Sequence, residues 1–310
     1  MTLNFYQYID ILNLEQEEIS NYRQQLFAVG KNLPKILEII IQKIRIKSNL
    51  TLSQIASSLS ITDTHLRRLR RGNSPIPLRI LNHLSKNNEN LRIKIKENIE
   101  YIASSKGVKI RIPKKITPLL IEILGRFSGD GSCGCYDNDY KWSFKEEEKS
   151  FVRKNIKDVY KIFDIEGKFI DYNTWAEHEI KSKALVLLFY QFFPGIKAEI
   201  KTYSGKPPCI IYNINWNLRK YYTTGLIDTE GSFSFYNHSY IFEIKMANPY
   251  FIREVECAFI EFGIPYIYKA LRNNTIHRIR VFNKINLSLI KEIFKIKNKK
   301  HLRKFKSWKI

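Results

Sequence analysis

Asp130 and Glu230 are the residues whose type and spacing most clearly suggest chemistry. Each acid follows a run of helix-forming residues and precedes a glycine and a serine, and the two acids lie 100 positions apart. Other residues recur at the same offset: Gly125 and Gly225, Gly131 and Gly231, Ser132 and Ser232, Lys145 and Lys245. A constant offset of this size indicates two tandem copies of one small domain.

Paired carboxylates at helix ends are suited to binding a divalent cation. A carboxylate at a helix C-terminus meets the negative end of the dipole, and a second carboxylate nearby makes the pair unfavourable until a cation binds. Mg²⁺ takes one or two carboxylates together with water and phosphate oxygens. Such ions activate water and stabilise the leaving oxygen in phosphodiester hydrolysis. The alternative is that Asp130 and Glu230 only cap their helices, but the two matched copies favour nuclease chemistry.

The residues before each acid predict two helices that cross closely. Interaxial distance depends on the side chains at the contact, and small residues occur there in both copies: Gly125, Ser128, Gly129, Gly225 and Thr229. We predict helices from Pro118 to Ser128 and from Trp216 to Thr229, each stopped by a glycine in the left-handed conformation. The two acids would then lie side by side.

These residues resemble the motif of the LAGLIDADG homing endonucleases, in the form in which one chain carries two repeats. The second copy is the closer match and keeps these motif residues: Gly225, Leu226, Ile227, Asp228 and Gly231, with Glu230 at the acid. The first copy keeps Gly125, Gly129, Asp130 and Gly131. It has Arg126 and Ser128 where the motif has leucine and aspartate.

The resemblance implies an α+β fold in which two αββαββα repeats, residues 113–215 and 216–310, form a pseudo-two-fold saddle over double-stranded DNA. It implies a site-specific endonuclease that acts as a monomer, binds Mg²⁺ through Asp130 and Glu230, and cuts one strand with each acid. Members of the family make double-strand breaks with short 3′ overhangs and so copy the encoding element into an empty allele. Met1 and the ending Trp308-Lys309-Ile310 favour a free-standing or intron-encoded enzyme over an intein.

Lysines and strand residues are the candidates for contacts around the acids and along the DNA. Two lysine pairs share the 100-residue offset and are candidates for the catalytic periphery: Lys145 and Lys245, and Lys197 and Lys297. Outward residues of the second repeat would contact DNA: Lys269, Arg272, Arg278 and Arg280, with arginine suited to guanine edges. The first repeat offers more neutral residues: Tyr136, Asn138, Tyr140, Tyr172, Asn173 and His178.

A second unit is predicted near the start of the chain. Residues 51–71 are typical of a helix, a short turn and a helix, with Leu66 and Leu69 holding the second helix down. The segment of about 34–85 resembles the helix-turn-helix of phage-repressor (Cro/C1-like) domains, which implies that the second helix lies in the major groove. Base readers would be Thr62, Thr64, His65 and Arg68, and phosphate contacts would be Arg67, Arg70 and Arg71. An ordinary helical bundle with a basic face is the alternative.

The remainder of the N-terminal region, residues 1–112, is predicted to be helical with a linker. Leu91 to Ile102 is predicted as a basic helix and Val108 to Ile112 as a strand. The chain as a whole has 52 Lys and Arg against 30 Asp and Glu, a net charge of +22. The excess is +9 in residues 1–112, +2 in 113–215 and +11 in 216–310. This charge predicts a polyanionic partner with salt-dependent binding.

Composition also restricts the class of protein. No stretch reaches the roughly 18 apolar residues of a membrane span, and no signal-peptide pattern is present. The four cysteines are too sparse for a disulfide framework, so we expect a non-secreted, intracellular protein. Two functions other than cleavage stay open: a transcription regulator on an inactive LAGLIDADG scaffold, and an intron maturase that binds intron RNA.

Overall fold

The computed structural model describes residues 4–14, 25–105, 108–137, 139–194, 196 and 203–309. The chain separates into two compact units. The first comprises Met1–Lys115 and Ser182–Leu188, and the second comprises Ile116–Lys181 and Phe189–Ile310. No helix within the described residues has the length and apolar character needed to cross a membrane.

The described residues form both α-helices and β-strands. The α-helices are α1 Leu33–Ser48, α2 Leu52–Ser58, α3 Asp63–Arg70, α4 Leu78–Ser85, α5 Glu89–Asn98, α6 Pro118–Asp130, α7 Lys149–Phe163, α8 Lys183–Phe192, α9 Trp216–Glu230, α10 Pro249–Glu261, α11 Lys284–Phe294 and α12 Lys299–Ser307. The strands are β1 Leu26–Val29, β2 Ile76–Pro77, β3 Tyr101–Ser104, β4 Lys109–Arg111, β5 Gly131–Tyr136, β6 Asp139–Glu146, β7 Lys168–Asp171, β8 Ala176–Lys181, β9 Gly231–Tyr236, β10 Ser239–Met246, β11 Ile267–Leu271 and β12 Ile276–Phe282. The mixed α+β class predicted from the sequence is confirmed.

The first unit contains a small antiparallel sheet of order β2-β1-β3-β4 and helices α1–α5. Thr51 opens α2 with a capping box, because its hydroxyl accepts from the Gln54 N–H and Gln54 accepts from the Thr51 N–H. The predicted helix from Leu91 to Ile102 is wrong beyond Asn98. Ile99 turns to an extended conformation, and β3 then pairs with β1. Burial of Ile102 in that sheet outweighs the helical periodicity of the segment.

The second unit contains two four-stranded antiparallel sheets of order β5-β6-β8-β7 and β9-β10-β12-β11. The elements run α6-β5-β6-α7-β7-β8, then the end of α8 from Phe189, and then α9-β9-β10-α10-β11-β12-α11. Strand alternation gives each sheet one face that packs on helices. In the first sheet that face carries Trp142 and Phe144, and Phe127 of α6 stacks on Trp142 at 5.9 Å.

The second sheet buries the corresponding face. Phe233 and Phe242 lie 4.9 Å apart between their ring centroids, and Phe259 of α10 packs on Phe242 at 5.9 Å. Helix α12 covers Phe233 with His301 and Phe305, at 5.0 and 4.6 Å. The opposite face of each sheet is the open face, and its residues alternate with these buried ones.

Candidate active site and nucleic-acid interface

The two motif helices, α6 and α9, cross at their glycines. A Cβ on Gly225 would lie 2.5 Å from the Arg126 backbone nitrogen and 2.8 Å from the Gly125 carbonyl carbon. A Cβ on Gly125 would lie 2.9 Å from the Tyr222 carbonyl carbon and 3.1 Å from the Gly225 Cα. These clashes are with backbone atoms, which cannot turn aside. The helices therefore touch backbone to backbone, as only glycine permits.

One helical turn later, the same crossing brings the ends of the helices together. A Cβ on Gly129 would lie 2.9 Å from the Thr229 Cβ and 3.1 Å from the Glu230 Cγ. The Glu230 side chain therefore lies beside Gly129, the residue that precedes Asp130. Asp130 and Glu230 are each the last residue of a helix, and each is half-buried. The two acids thus lie at adjacent helix C-termini, where both helix dipoles oppose negative charge.

The glycines that follow the acids do not end the helices by a left-handed turn, so that prediction is wrong. Gly131 has φ −85° and Gly231 has φ −71°, both with extended ψ, and each begins a strand. Residue 131 must be glycine because there is no room for a Cβ. A Cβ there would lie 2.6 Å from the Phe127 Cα, within the preceding helical turn. Helix passes directly into strand, so each acid lies at the base of its sheet.

The two sides of the helix crossing differ chemically. On one side the Ser128 and Tyr222 hydroxyls hydrogen bond at 2.7 Å across the helix pair. On the other side, the residues equivalent to Ser128 and Tyr222 by the 100-residue offset are Asp228 and Glu122, both fully buried carboxylates. Lys297 joins them, because its backbone N–H donates to Asp228 at 2.9 Å and its Nζ forms an ion pair with Glu122. Burial raises the pKa of Asp228 to about 6.

Arg126, which replaces the leucine of the motif, is fully buried and anchors α6 to α7. Its guanidinium forms an ion pair with Glu122 and donates to Asp158 at 2.8 Å and to Asn155 at 3.3 Å. The planar fork of arginine can satisfy several acceptors at once. A charged residue in the motif is accommodated because both terminal nitrogens of its guanidinium are paired, although its Nε is buried without a hydrogen-bond partner.

Helix α12 docks at the acid end of α9. Asn298 caps α12, donates its backbone N–H to Asp228 at 2.9 Å and donates its side-chain amide to the Asp228 carbonyl at 2.8 Å. Lys300 forms an ion pair with Glu147 at 2.8 Å. That hydrogen bond, with the negative charge of Asp130 contributing, raises the pKa of Lys300. Lys300 therefore places a cation within electrostatic reach of Asp130, and no sequence offset signalled it.

The lysine pairs singled out in the sequence lie in different surroundings. Lys145 and Lys245 are exposed at matching ends of β6 and β10; Lys145 lies over the Trp175 ring at 5.2 Å, and Lys245 pairs with Glu243 at 2.5 Å. The Lys297 Nζ contacts Glu122, which lies eight residues before Asp130 in α6. Eight helical residues span about 12 Å. Lys197 lies outside the described residues.

The open face of the second sheet is basic. Arg278 and Arg280 lie on it beside Lys269 of the neighbouring strand, and Arg272 is exposed in the hairpin turn that follows Leu271. Glu243 forms an ion pair with Arg280 and lies 3.8 Å from Arg278. Burial raises the pKa of Glu243, but hydrogen bonds from its cationic neighbours outweigh that effect and lower it overall.

In the first sheet, the residues expected to contact DNA are divided between the two faces. Tyr140 and His178, expected to face outward, are 7% and 0% exposed and belong to the packed face, so that expectation is wrong. Burial lowers the pKa of His178 to about 3. Tyr136 and Tyr172 are exposed, Asn173 lies in the turn after β7, and Asn138 lies outside the described residues. The predicted face was wrong in two strands, β6 for Tyr140 and β8 for His178.

In the first unit, helices α2 and α3 are joined by a short connection, residues 59–62. The Thr62 hydroxyl caps α3 by accepting from the His65 N–H at 3.1 Å. Thr64, Arg68 and Arg71 are exposed, and His65 is half-buried. Arg67 pairs with Asp63 at 3.0 Å.

Arg70 is held within the first unit, because it donates to both carboxylate oxygens of Glu38 on α1. The Arg70 hydrogen bond lowers the pKa of Glu38. Arg70 therefore fixes α3 against α1. The exposed residues of α3 are Thr62, Thr64, Arg67 and Arg68.

The oxygen donors at the helix ends fit a hard divalent cation. Asp130 and Glu230 supply carboxylates, and their partial exposure leaves room for water and phosphate oxygens as further ligands. Among the described residues, no group of three or more His, Cys, Asp or Glu side chains is arranged to hold a metal ion. A cation at this position would be held by two protein ligands, as Mg²⁺ accepts.

No protein-family profile matches the sequence. The chain is 27% identical over 191 residues to glutamine–fructose-6-phosphate aminotransferase (isomerizing) of Methanocaldococcus jannaschii; the match covers 59% of this chain and 17% of that protein. The chain therefore spans less than a fifth of the length of that curated relative.

Solved structures similar in fold include three homing endonucleases or meganucleases. The homing endonuclease I-DmoI in complex with DNA and Ca has 13% identity and a TM-score of 0.43, over 57% of this chain and 90% of that chain. The LAGLIDADG homing endonuclease I-GzeII with its DNA target has 14% identity and a TM-score of 0.43, over 63% and 89%. The meganuclease I-SmaMI bound to DNA has 11% identity and a TM-score of 0.40, over 60% and 85%. Similarity at this level does not establish activity.

Proposed function

We propose that this chain is a site-specific, metal-dependent double-strand DNA endonuclease of the LAGLIDADG type. The observation that carries the proposal is the meeting of Asp130 and Glu230 at the ends of two helices in backbone contact. Both acids are half-buried at the bases of two sheets, each as the last residue of its motif helix.

The reaction proposed is hydrolysis of a phosphodiester in each DNA strand. A water oxygen forms a bond to phosphorus, the P–O3′ bond breaks, and the products are a 5′-phosphate and a 3′-hydroxyl that has taken up a proton. A divalent cation such as Mg²⁺ would supply charge stabilisation and lower the pKa of the attacking water. Asp130 and Glu230 would hold such a cation and orient the water, one acid serving each strand. The glycine contacts fix the separation of the two acids.

The open faces of the sheets are proposed to cover the DNA. The cations of the second sheet, Lys269, Arg272, Arg278 and Arg280, suit phosphates and guanine edges. In the first unit, exposed Thr64, Arg67 and Arg68 on α3 suit a second contact with the same polymer. The net charge of +22 favours binding to nucleic acid. The proposed partner is therefore double-stranded DNA, and the proposed state is a monomer with both acids in one chain.

Cleavage of a pooled DNA library that includes the flanks of the encoding gene tests the proposal. The unaltered chain is assayed with Mg²⁺ and with EDTA, beside the double variant Asp130→Asn, Glu230→Gln. Asp137→Asn is the matched control, because Asp137 is an exposed turn acid whose left-handed φ of 46° asparagine tolerates.

We expect cuts at one sequence, lost in EDTA and in the double variant and kept in Asp137→Asn. Specific DNA retention without cutting by the unaltered chain would instead support a regulator. Retention of intron RNA with no DNA preference would support a maturase.

A further inference from the structure

The two sheets carry opposite charges at equivalent positions of their open faces. Lys145 pairs across the strands with Glu177, whereas Lys245 pairs with Arg278. The next open-face pairs are Ser143 with Glu179 in the first sheet and Glu243 with Arg280 in the second. Glu177 and Glu179 of the first sheet thus occupy the positions that Arg278 and Arg280 occupy in the second sheet.

The open face of the first sheet is compensated internally. Lys141 contacts Glu177 at 2.9 Å and Glu179 at 2.6 Å, and Lys181 contacts Asp139 at 2.6 Å. Hydrogen bonds to the two glutamates outweigh burial and raise the pKa of Lys141. Four lysines lie on this face with three acids: Lys141, Lys145, Lys168 and Lys181, with Asp139, Glu177 and Glu179. A phosphate approaching it would find Lys141 and Lys181 already paired with carboxylates.

The open face of the second sheet has a net positive charge. Four cations surround a single carboxylate: Lys245, Lys269, Arg278 and Arg280 around Glu243. Glu243 can satisfy only part of this charge, since it has two oxygens and contacts three of the cations. Ser232 and Ser234 of β9 share the face and are exposed. The remaining donors are available to phosphate or base oxygens.

We propose that the two halves of the DNA site are bound unequally: the second sheet provides the salt-dependent affinity, and the first sheet contacts its half with little electrostatic gain. This inference rests on the proposed partner, double-stranded DNA. Affinity from phosphate contacts comes from counterion release, about 0.9 in the log-log salt slope for each phosphate neutralised. A lysine already paired with a carboxylate releases few counterions from the DNA.

Equilibrium binding to a labelled mixed-sequence DNA duplex in EDTA, measured at several salt concentrations, tests the inference. The double variant Arg278→Gln, Arg280→Gln should lower the salt slope by roughly 1 to 2. The matched variant Lys141→Gln, Lys181→Gln removes the same charge from the first sheet and should lower the slope by less than about half that amount. Urea unfolding midpoints equal to that of the unaltered chain identify the variants that keep the fold.

A gain of charge on the first sheet completes the test. Glu177→Gln with Glu179→Gln releases Lys141 and should steepen the slope by about 1. Equal slopes for the two cation-removal variants, or no change with the glutamine pair, would overturn the inference. EDTA keeps binding separate from cleavage, so a protein that binds DNA and never cuts it would reject the endonuclease alone. The absence of DNA binding in every variant would reject both.

Discussion

Gly225→Ala should both destabilise the second unit and slow DNA cleavage, because the new Cβ would enter the backbone of α6. It would lie 2.5 Å from the Arg126 nitrogen, where ordinary contact begins at 3.4 Å. The helices must therefore separate locally by about 0.9 Å, the difference between these distances. Overpacking of this kind costs about 1–3 kcal/mol. Since the displaced atoms are main chain within helices, we expect about 3 kcal/mol.

The same separation of α6 and α9 should also move Asp130 and Glu230 apart. Asp130 and Glu230 lie one to two helical turns beyond the crossing, so a shift near 1 Å at Gly225 changes their spacing by a similar amount. Misplacement on that scale costs roughly 100-fold in rate. Urea unfolding monitored by circular dichroism gives the stability term. Single-turnover cleavage on the identified target, under conditions where the variant is fully folded, gives the rate term.

Gly134→Ala is the matched control, because Gly134 lies in β5 with no atom within 4 Å of a built Cβ. The free energy of unfolding of this variant should lie within about 0.5 kcal/mol of that of the unaltered chain. If Gly225→Ala unfolded at the same urea concentration as Gly134→Ala and cut DNA at the unaltered rate, the inference that backbone contact sets the spacing of the acids would be refuted.

Three further changes follow from buried or capping contacts. Burial lowers the pKa of His178 to about 3 in the folded chain, whereas its pKa is about 6.5 in the unfolded chain. The unfolded chain therefore binds more protons than the folded chain at pH values between these two. The contribution of His178 to the free energy of unfolding should therefore fall as pH falls below 6.5, by about 2 kcal/mol at pH 5. His301, with a pKa lowered to about 4 by burial, acts in the same direction, and Asp228, with a pKa raised to about 6 by burial, acts against it. His178→Phe should flatten that part of the curve, and an unchanged curve would show that His178 is not its source. Arg126→Leu restores the motif residue and removes the buried partner of Glu122 and Asp158, which keep Lys297 and Lys154 respectively; it should lower the unfolding free energy by about 3 kcal/mol, the lower end of the range for a broken buried pair, and a variant as stable as the parent would contradict this. Thr62→Ala removes the α3 cap and should cost about 1 kcal/mol in thermal unfolding, whereas Thr64→Ala, at an exposed non-capping position, should cost less.

Local patterns in the sequence were sufficient where one interaction dominates. The helix predicted from Pro118 to Ser128 extends in the structure to Asp130, with Thr117 capping its start. Asn273 and Asn274, a pair typical of turns, join β11 to β12 and have left-handed φ values of 52° and 66°. Capping and turn chemistry depend on neighbouring residues only, which is why the sequence identifies them.

Features that depend on distant residues were not predictable in this way. His178 looked like an outward base reader, but its place on the packed face is set by pairing with β6. Lys297 looked like a duplicate of Lys197, yet its Nζ contacts Glu122, 175 residues earlier in the chain. Lys300 near Asp130 had no counterpart at the 100-residue offset. Register and long-range ion pairs come from tertiary packing, which periodicity does not encode.

The unequal sides of the helix crossing have a consequence for how the two halves can be exchanged. Ser128 faces Tyr222 on one side, and Lys297 separates Glu122 from Asp228 on the other. A chimera made of two first halves would place Glu122 at both sides of the crossing, opposite Ser128, and would lack the Asp228 that Lys297 and Asn298 contact. The halves have therefore become obligate partners. Recombining the second half of this chain with the first half of another, to read a new DNA target, would require Lys297 and Asn298 to be transferred together with α9.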